Sequence, residues 1–371
     1  MTRLRRIINL VDDVSSVNYG IWHAAIASSK ALKEHHGIES WLVSKNFDAS
    51  FRQDEFPWLN TFTADSLSAS AAASFFAGFK PEDSLIASHG CWQFPTRWAA
   101  AGRKAGFAWV YTPHGMLEPW SMEQKAWKKI PYFHLAEKPL AGKASLVRAV
   151  GKPELENLKK YFPDALLIPN GIYGESLQQR EQDAENSIRN NFVFLARLHH
   201  KKNLMPLLHA WIASDLAGRA DCRLRIAGTD DGEKQALEDF ILRHPDAGIS
   251  FLGPVFGKEK TQLFRDSDFY ILPSLSEGFP TSVVEAAAAG LICLISQGCN
   301  FPEILESPAG IDSGITVESI RKSLELAIGL SAEERMLRRR TGTDLVQAGY
   351  LWNSIADRQA ELYERLLPEE K

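Results

Sequence analysis

The stretch Pro273-Ser274-Leu275-Ser276-Glu277-Gly278-Phe279-Pro280-Thr281-Ser282-Val283-Val284-Glu285 joins a strand end, a Gly/Pro turn, two carboxylates and a helix start. The apolar run Phe269-Tyr270-Ile271-Leu272 before it predicts a strand, Gly278 and Pro280 mark the turn, and Thr281 to Ala289 predicts an alanine-rich helix. Free amides at such a helix start carry partial positive charge. An anion seated there gains up to about 2 kcal/mol in partly buried geometry, and a diphosphate fits that description. Glu277 and Glu285, with seven residues between them, place one carboxylate in the turn and the other about one helical turn inside. Carboxylates accept hydrogen bonds from hydroxyls, which sugars and ribose supply. Taken singly, each acid is equally well explained as a solvated loop acid or as an acid favoured by the helix dipole.

Outward from this stretch, short apolar runs alternate with helical segments along the whole chain, the pattern of parallel sheets with crossover helices. The fold class is α/β. In the first half the predicted strands are Ile7 to Val11, Ser40 to Val43, Leu85 to Ser88, Trp109 to Thr112, Leu146 to Val150 and Leu166 to Ile168. In the second half they are Phe192 to Ala196, Arg223 to Ala227, Ile249 to Leu252, Phe269 to Leu272 and Leu291 to Ile295. Pro169-Asn170-Gly171 and the polar stretch Glu175 to Asn191 form the best linker. The expected domains are therefore 1–170 and 171–345, each doubly wound, followed by a terminal helix within 346–371 that carries Trp352, Ile355, Ala356, Leu362, Tyr363 and Leu366 on one stripe. Ligands of open α/β sheets bind at the carboxyl ends of strands, so two such domains facing each other are expected to enclose a cleft.

A length of 371 residues fits two domains, and 45% hydrophobic residues, 24% charged residues and a net charge of −4 disfavour both disorder and a nucleic-acid partner. Cys91, Cys222, Cys293 and Cys299 form neither a CxxC pair nor a disulfide framework, which suits a reducing cytosol. The apolar stretch Ile7 to Val11 is too short for a signal-peptide core and is better taken as a strand. No run approaches the length of a membrane-spanning helix, so any membrane contact is expected to be peripheral. The expected location is the cytoplasm, including the inner face of its membrane.

Four further segments carry chemistry. Arg197-Leu198-His199-His200-Lys201-Lys202-Asn203 is a cationic loop at a strand's carboxyl end; Arg offers a fork of donors and Lys a compact charge, though a solvated basic turn has the same composition. Leu224 to Gly232 is a strand and a small-residue turn without a GxGxxG fingerprint, so a dinucleotide cofactor is unsupported; Gly228 permits close backbone approach. Tyr111-Thr112-Pro113-His114-Gly115-Met116 places an imidazole at a strand end, with His89 a similar, weaker element that reads as structural or acceptor-side. The segment Trp120 to Lys143 interleaves Trp120, Trp127, Tyr132 and Phe133 with lysines, which suits an anionic membrane interface and an ordinary amphipathic helix equally. Asp266-Ser267-Asp268 matches the DxD pattern of metal-dependent enzymes formally; it sits directly before a strand, where two acids are usually solvated, and no zinc-type cluster occurs, so no metal is expected.

In Asp268, Pro273-Ser274, Glu277-Gly278-Phe279-Pro280 and Glu285 the chain resembles the retaining glycosyltransferases of family 4, whose architecture is the two-domain GT-B fold. The resemblance extends through Ile168 to Gly171, Arg197 to Asn203, Leu224 to Gly228 and the final Trp352 helix. It implies that Arg197 and Lys202 hold the donor phosphates, Glu277 the hydroxyls of the transferred sugar and Glu285 the ribose, with the turn Gly278, Phe279, Pro280 and Thr281 and its amides around the diphosphate and Gly228 near the nucleotide. His114 would contact the transferred sugar, and Gly20, in Asn18-Tyr19-Gly20, would stand for a glycine-rich loop at donor phosphate or acceptor. The family usually has Gly where Ala196 stands. The last helix would cross back to the first domain. The implied reaction is transfer from a nucleoside diphosphate sugar to a glycan or lipid-linked acceptor hydroxyl, with retention and without cofactor, in bacterial cell-surface polysaccharide or lipopolysaccharide assembly. A sugar-nucleotide epimerase, a phosphorylase, or a non-catalytic nucleotide-sugar-binding protein are the alternatives.

Overall fold

The computed structural model describes residues 3–15, 17–49, 51–92, 94–174 and 190–369. Most of the polar linker stretch, 175–189, lies outside them. The chain divides into two compact units, one formed by Met1–Gly171 with Trp352–Lys371 and the other by Ile172–Leu351. The second unit runs past residue 345 because the helix Ala332–Gly349 is continuous to its end, where Ile172 and Leu351 form a β-bridge.

The first unit has seven parallel strands: β1 (Arg6–Val11), β2 (Glu39–Ser44), β3 (Leu59–Thr63), β4 (Ser84–His89), β5 (Ala108–Thr112), β6 (Leu146–Ala149) and β7 (Leu166–Leu167), in the order β3-β2-β1-β4-β5-β6-β7. Successive side chains on a strand point to opposite faces, and the core obeys that alternation. Ile8, Ile86, Trp109 and Tyr111 pack on one face with Trp98 and Phe133. Ile7, Leu85, Ala87, Ala108 and Val110 pack on the other with Trp352, Ile355, Ala356, Ala360 and Tyr363. The terminal helix Trp352–Glu364 thus belongs to the first unit, against the helix Ser29–His36, with Leu362 and Leu366 at the edge of the stripe and Ala360 and Gln359 inside it.

The second unit has six parallel strands: β8 (Asn190–Leu195), β9 (Cys222–Ala227), β10 (Ile249–Phe251), β11 (Phe269–Leu272), β12 (Ile292–Ile295) and β13 (Gly310–Asp312), in the order β10-β9-β8-β11-β12-β13. The central strands β11 and β12 are buried at every residue, which is why they read as unbroken apolar runs, whereas Arg223 of β9 and Ser250 of β10 are exposed. In both sheets the strand order reverses beside the first strand, between β1 and β4 and between β8 and β11. The loops leaving these strands at their carboxyl ends frame the crevice where open α/β sheets hold ligands.

Candidate active site

Arg197 and Lys202 leave the end of β8, and Glu277 leaves β11, the adjacent strand across the reversal. The β8 loop closes into a short helical turn, His200–Lys202, because His199 Nδ1 accepts from the Lys201 amide at 3.1 Å. Asn203 then takes a left-handed conformation at φ 59° and starts the helix Leu204–Ile212. The result brings Lys202 Nζ within 2.5 and 2.7 Å of the two carboxylate oxygens of Glu277, although the residues are 75 positions apart. Ser274 Oγ donates to the same carboxylate at 2.6 Å, and both side chains of the ion pair are more than four-fifths buried. The turn that carries Glu277 is tied down at its backbone: the Glu277 amide donates to Gly298 O at 2.7 Å, and Asn300 Nδ2 donates to Glu277 O at 2.5 Å. Lys201 O accepts from the Leu275 amide at 2.8 Å, which joins the two loops directly.

The helix Thr281–Ala288 begins at Pro280 with no side-chain cap. Among the described residues, the amides of Gly278 and Phe279 donate to no protein acceptor, so the turn before the helix presents free N–H groups, whereas the Thr281 amide, expected to face the diphosphate, donates to Phe279 O at 3.0 Å. Ser282 Oγ is 2.7 Å from Tyr270 OH, which in turn donates to Leu195 O at 3.0 Å and fastens this helix to β8. Glu285 is the fifth residue of the helix, beyond the turn where the dipole favours acids, and instead pairs with Lys260 at 2.7 Å.

Arg197 is more than half exposed and donates to Asp231 at 2.6 Å. Gly228 explains how its loop approaches: φ is 155°, and a Cβ there would stand 1.8 Å from Ala196 O. The methyl of Ala196 lies against the apolar core, so the close contact is made by backbone on both sides. Asp268 is structural. It is buried, pairs with Arg339 at 3.1 Å and accepts from the Asn191 amide at 3.1 Å, which removes it from any DxD role. Among the described residues no group of three or more His, Cys, Asp or Glu side chains could hold a metal ion.

In the first unit, His114 follows β5 in a left-handed conformation, φ 54°, and its Nε2 lies 2.9 Å from Nδ1 of His89, the last residue of β4. Glu154, 2% exposed at the start of the helix Lys152–Lys159, accepts from the amides of Gly115 at 2.6 Å and Val150 at 2.8 Å and so pins the loop. Burial pushes the Glu154 carboxyl up to about 7, against the two amides and Arg148, which lower it, while Glu118 adds to the rise. A group whose folded value lies above its unfolded value of 4.5 holds an extra proton when folded, so it stabilises below that value and the stabilisation is lost as pH rises through 7. Glu154→Gln is expected to gain on the wild type by about 1–2 kcal/mol between pH 5 and pH 8 in urea unfolding. An equal difference at both pH values would contradict this.

Gly20 departs from its expected role. It is exposed in the first turn of the helix Tyr19–Ile26, is not among the residues at positive φ, and a Cβ there meets nothing within 4 Å. No glycine turn is built at this position. The loop before it is organised by Asp13 instead, which accepts from Asn18 at 3.1 Å and Asn46 at 2.8 Å. The segment 120–143 consists of the short helix Pro119–Glu123 and then a continuous helical run over 126–141, with a π-helical turn at Phe133–Glu137 inside it. Phe133 is in the core, while Trp127 is 74% and Leu135 82% exposed.

Residues 189–330 match the family described as Glycosyl transferases group 1. This part of the chain is a group 1 glycosyltransferase domain. The chain is 26% identical over 208 residues to the phosphatidylinositol N-acetylglucosaminyltransferase gpi3 subunit of Schizosaccharomyces pombe, covering 55% of this chain and 44% of the relative. It is 28% identical over 233 residues to the N,N'-diacetylbacillosaminyl-diphospho-undecaprenol alpha-1,3-N-acetylgalactosaminyltransferase of Campylobacter jejuni, covering 61% of this chain and 55% of the relative. The chain spans about half the length of these curated relatives. The crystal structure of Anabaena Alr3699/HepE in complex with UDP and glucose superposes with a TM-score of 0.75 at 16% identity, covering 97% of this chain and all of that one, which establishes the GT-B fold. Lys260, Asp231, Ser274 and Asn300 are further site residues to which the sequence assigns no role; Ser274 and Asp231 stand inside the stretches Pro273 to Glu285 and Leu224 to Gly232, while no motif marks Lys260 or Asn300.

Proposed function

We propose that this glycosyltransferase moves a sugar from a nucleoside diphosphate donor to a hydroxyl of a glycan or lipid-linked acceptor, with retention at the anomeric carbon and without a metal. The observation that carries this reading is Lys202 held on Glu277 beside the uncapped start of the helix Thr281–Ala288 at the sheet's switch point. As the sugar–phosphate bond breaks, negative charge grows on the leaving diphosphate. Arg197, Lys202 and the amides of Gly278 and Phe279 are preorganised donors for that charge. Glu277, already oriented by Lys202 and Ser274, has lone pairs for sugar hydroxyls, and Glu285 with Lys260 suits the ribose. The fold neighbour that holds UDP and glucose, and a relative that acts on a diphospho-undecaprenol substrate, support a nucleotide sugar and a lipid-linked acceptor.

The experiment is a thermal-shift screen over UDP-, GDP-, ADP- and dTDP-sugars followed by product analysis, because a bound ligand stabilises by mass action. Transfer that requires an acceptor and retains the anomeric configuration is expected. Sugar conversion without acceptor would favour an epimerase, and consumption of free phosphate would favour a phosphorylase. Binding without turnover across the acceptor panel would favour a non-catalytic protein.

Among the described residues no helix is long and apolar enough to cross a membrane. Contact with an anionic membrane surface is assigned to Trp127, Ile130 and Leu135, which are exposed beside Lys125 and Lys128. Pelleting with phosphatidylglycerol vesicles should exceed that with phosphatidylcholine vesicles and fall several-fold in the double variant Trp127→Ser, Leu135→Ser. Equal pelleting of variant and wild type would remove this contact. The proposed setting is the cytoplasmic membrane face, in assembly of cell-surface glycans.

A further inference from the structure

In the first unit a single amide, that of Asn9, fixes the proton positions of two imidazoles. Asn9 Nδ2 donates to Trp41 O at 3.1 Å, so the oxygen end of that amide faces His89 Nε2, also at 3.1 Å. An amide oxygen only accepts, and Nε2 of His89 therefore carries the hydrogen. In a neutral imidazole the other nitrogen is then a bare lone pair. That nitrogen, Nδ1, lies 2.9 Å from Nε2 of His114, which must donate across the gap. Nδ1 of His114 is left as a lone pair with no hydrogen-bond partner among the described residues.

We propose that His89, with Asn9 behind it, is a positioning residue that locks His114 in its Nε2–H tautomer, so that the sugar bound against His114 is read through a hydroxyl that donates to Nδ1. For the identity of that ligand the inference rests on the glycosyl-transfer reading; the tautomer itself does not.

The surroundings keep both rings neutral. Burial lowers His114 to about 3, and the Arg148 guanidinium acts in the same direction. Burial, then His114, then Arg148 hold His89 well below the usual histidine range. Arg148 is 1% exposed and donates to the carbonyls of Ile168 and Pro169 and to Oδ1 of Asn170, none of which neutralises its charge. It lines a small polar cavity together with Asn9, His89, Gln359 and Tyr363, the last two from the terminal helix. That helix therefore closes the compartment behind His89. The ring of His114 is also fixed in place, since its left-handed backbone is held by Glu154 on the Gly115 amide. An imidazole locked this way cannot donate to the ligand, so a fluorine in place of the contacted hydroxyl cannot substitute for it.

The test is long-range 1H–15N NMR on the full-length, 15N-histidine-labelled protein without ligand, assigned with His114→Gln and His89→Leu. Both His89 and His114 should be neutral with hydrogen on Nε2 from pH 7 down to pH 5.5. His89→Leu should release His114 into a tautomer mixture, whereas His89→Asn, whose amide oxygen stands near the lost Nδ1, should restore the Nε2–H form. With the donor found by the thermal-shift screen, kcat should fall at least about tenfold in His89→Leu and recover in His89→Asn. His114 carrying its hydrogen on Nδ1, titrating near 6.5, or giving the wild-type spectrum in His89→Leu would overturn the proposal. If His89→Leu does not fold, the wild-type spectrum and the Asn variant decide. The stated tautomers in a protein that transfers no sugar would retain the His89 relay and reject the glycosyl-transfer reading.

Discussion

Lys202→Ala is expected to lower kcat by roughly 10²- to 10³-fold, the loss typical of removing one preorganised donor from a developing anion. The side chain has two tasks. It lends charge to the leaving diphosphate, and it orients Glu277 through contacts of 2.5 and 2.7 Å. Its removal leaves a mostly buried carboxylate with Ser274 as its remaining side-chain partner, so stability should also drop by about 1–3 kcal/mol. Arg197→Ala separates the two effects. Arg197 is 55% exposed at its side chain and touches Asp231, so its loss should reduce turnover by a similar factor while leaving the urea midpoint unchanged. Wild-type kcat in either variant would contradict the assigned roles.

Gly228→Ala should be the most damaging single methyl in the second unit. A Cβ at this position would lie 1.8 Å from Ala196 O and 2.8 Å from Ala196 C, and both are backbone atoms at the root of the Arg197 loop. Neither can rotate away. Relief requires the loops after β8 and β9 to part, which breaks the bond from the Leu198 amide to Thr229 O at 2.8 Å and moves Arg197. Together with the positive φ of 155°, this should cost at least about 3 kcal/mol in equilibrium unfolding and abolish nucleotide binding. Wild-type stability in Gly228→Ala would show that the loops have slack that the geometry denies them.

Much of the fold is legible in the sequence because its central strands are buried on both faces. Phe269-Tyr270-Ile271-Leu272 is β11 residue for residue, and the Gly/Pro turn and helix follow where the composition places them. The edge strands are not legible. In β3, Leu-Asn-Thr-Phe-Thr, only Leu59 is buried, and β13 is three residues long, so neither carries an apolar run.

At the site, residue types are legible and partners are not. Lys202 and Glu277 each stand in recognisable segments, but their contact spans 75 positions and depends on β8 and β11 being neighbours. Lys260 sits in Gly-Lys-Glu-Lys-Thr-Gln-Leu-Phe-Arg, which has the composition of any solvated helix, and only the packing of that helix reveals its pairing with Glu285. Glu154, after Lys152-Pro153, has the sequence of an ordinary first-turn acid, whereas the fold buries it beneath the His114 loop. Gly20 fails for the converse reason. Its sequence suggests a turn, but the backbone there is already helical.

The central claim is that Arg197, Lys202 and the amides of Gly278 and Phe279, in the turn before the helix Thr281–Ala288, hold a diphosphate. Isothermal titration of the matching nucleoside diphosphate and of the bare nucleoside, into wild type and Arg197→Ala, tests it most directly. Diphosphate affinity should fall at least about tenfold in the variant, as the loss of one charge-assisted hydrogen bond requires, while the nucleoside binds both proteins alike. Equal diphosphate affinity in the two proteins would contradict the account.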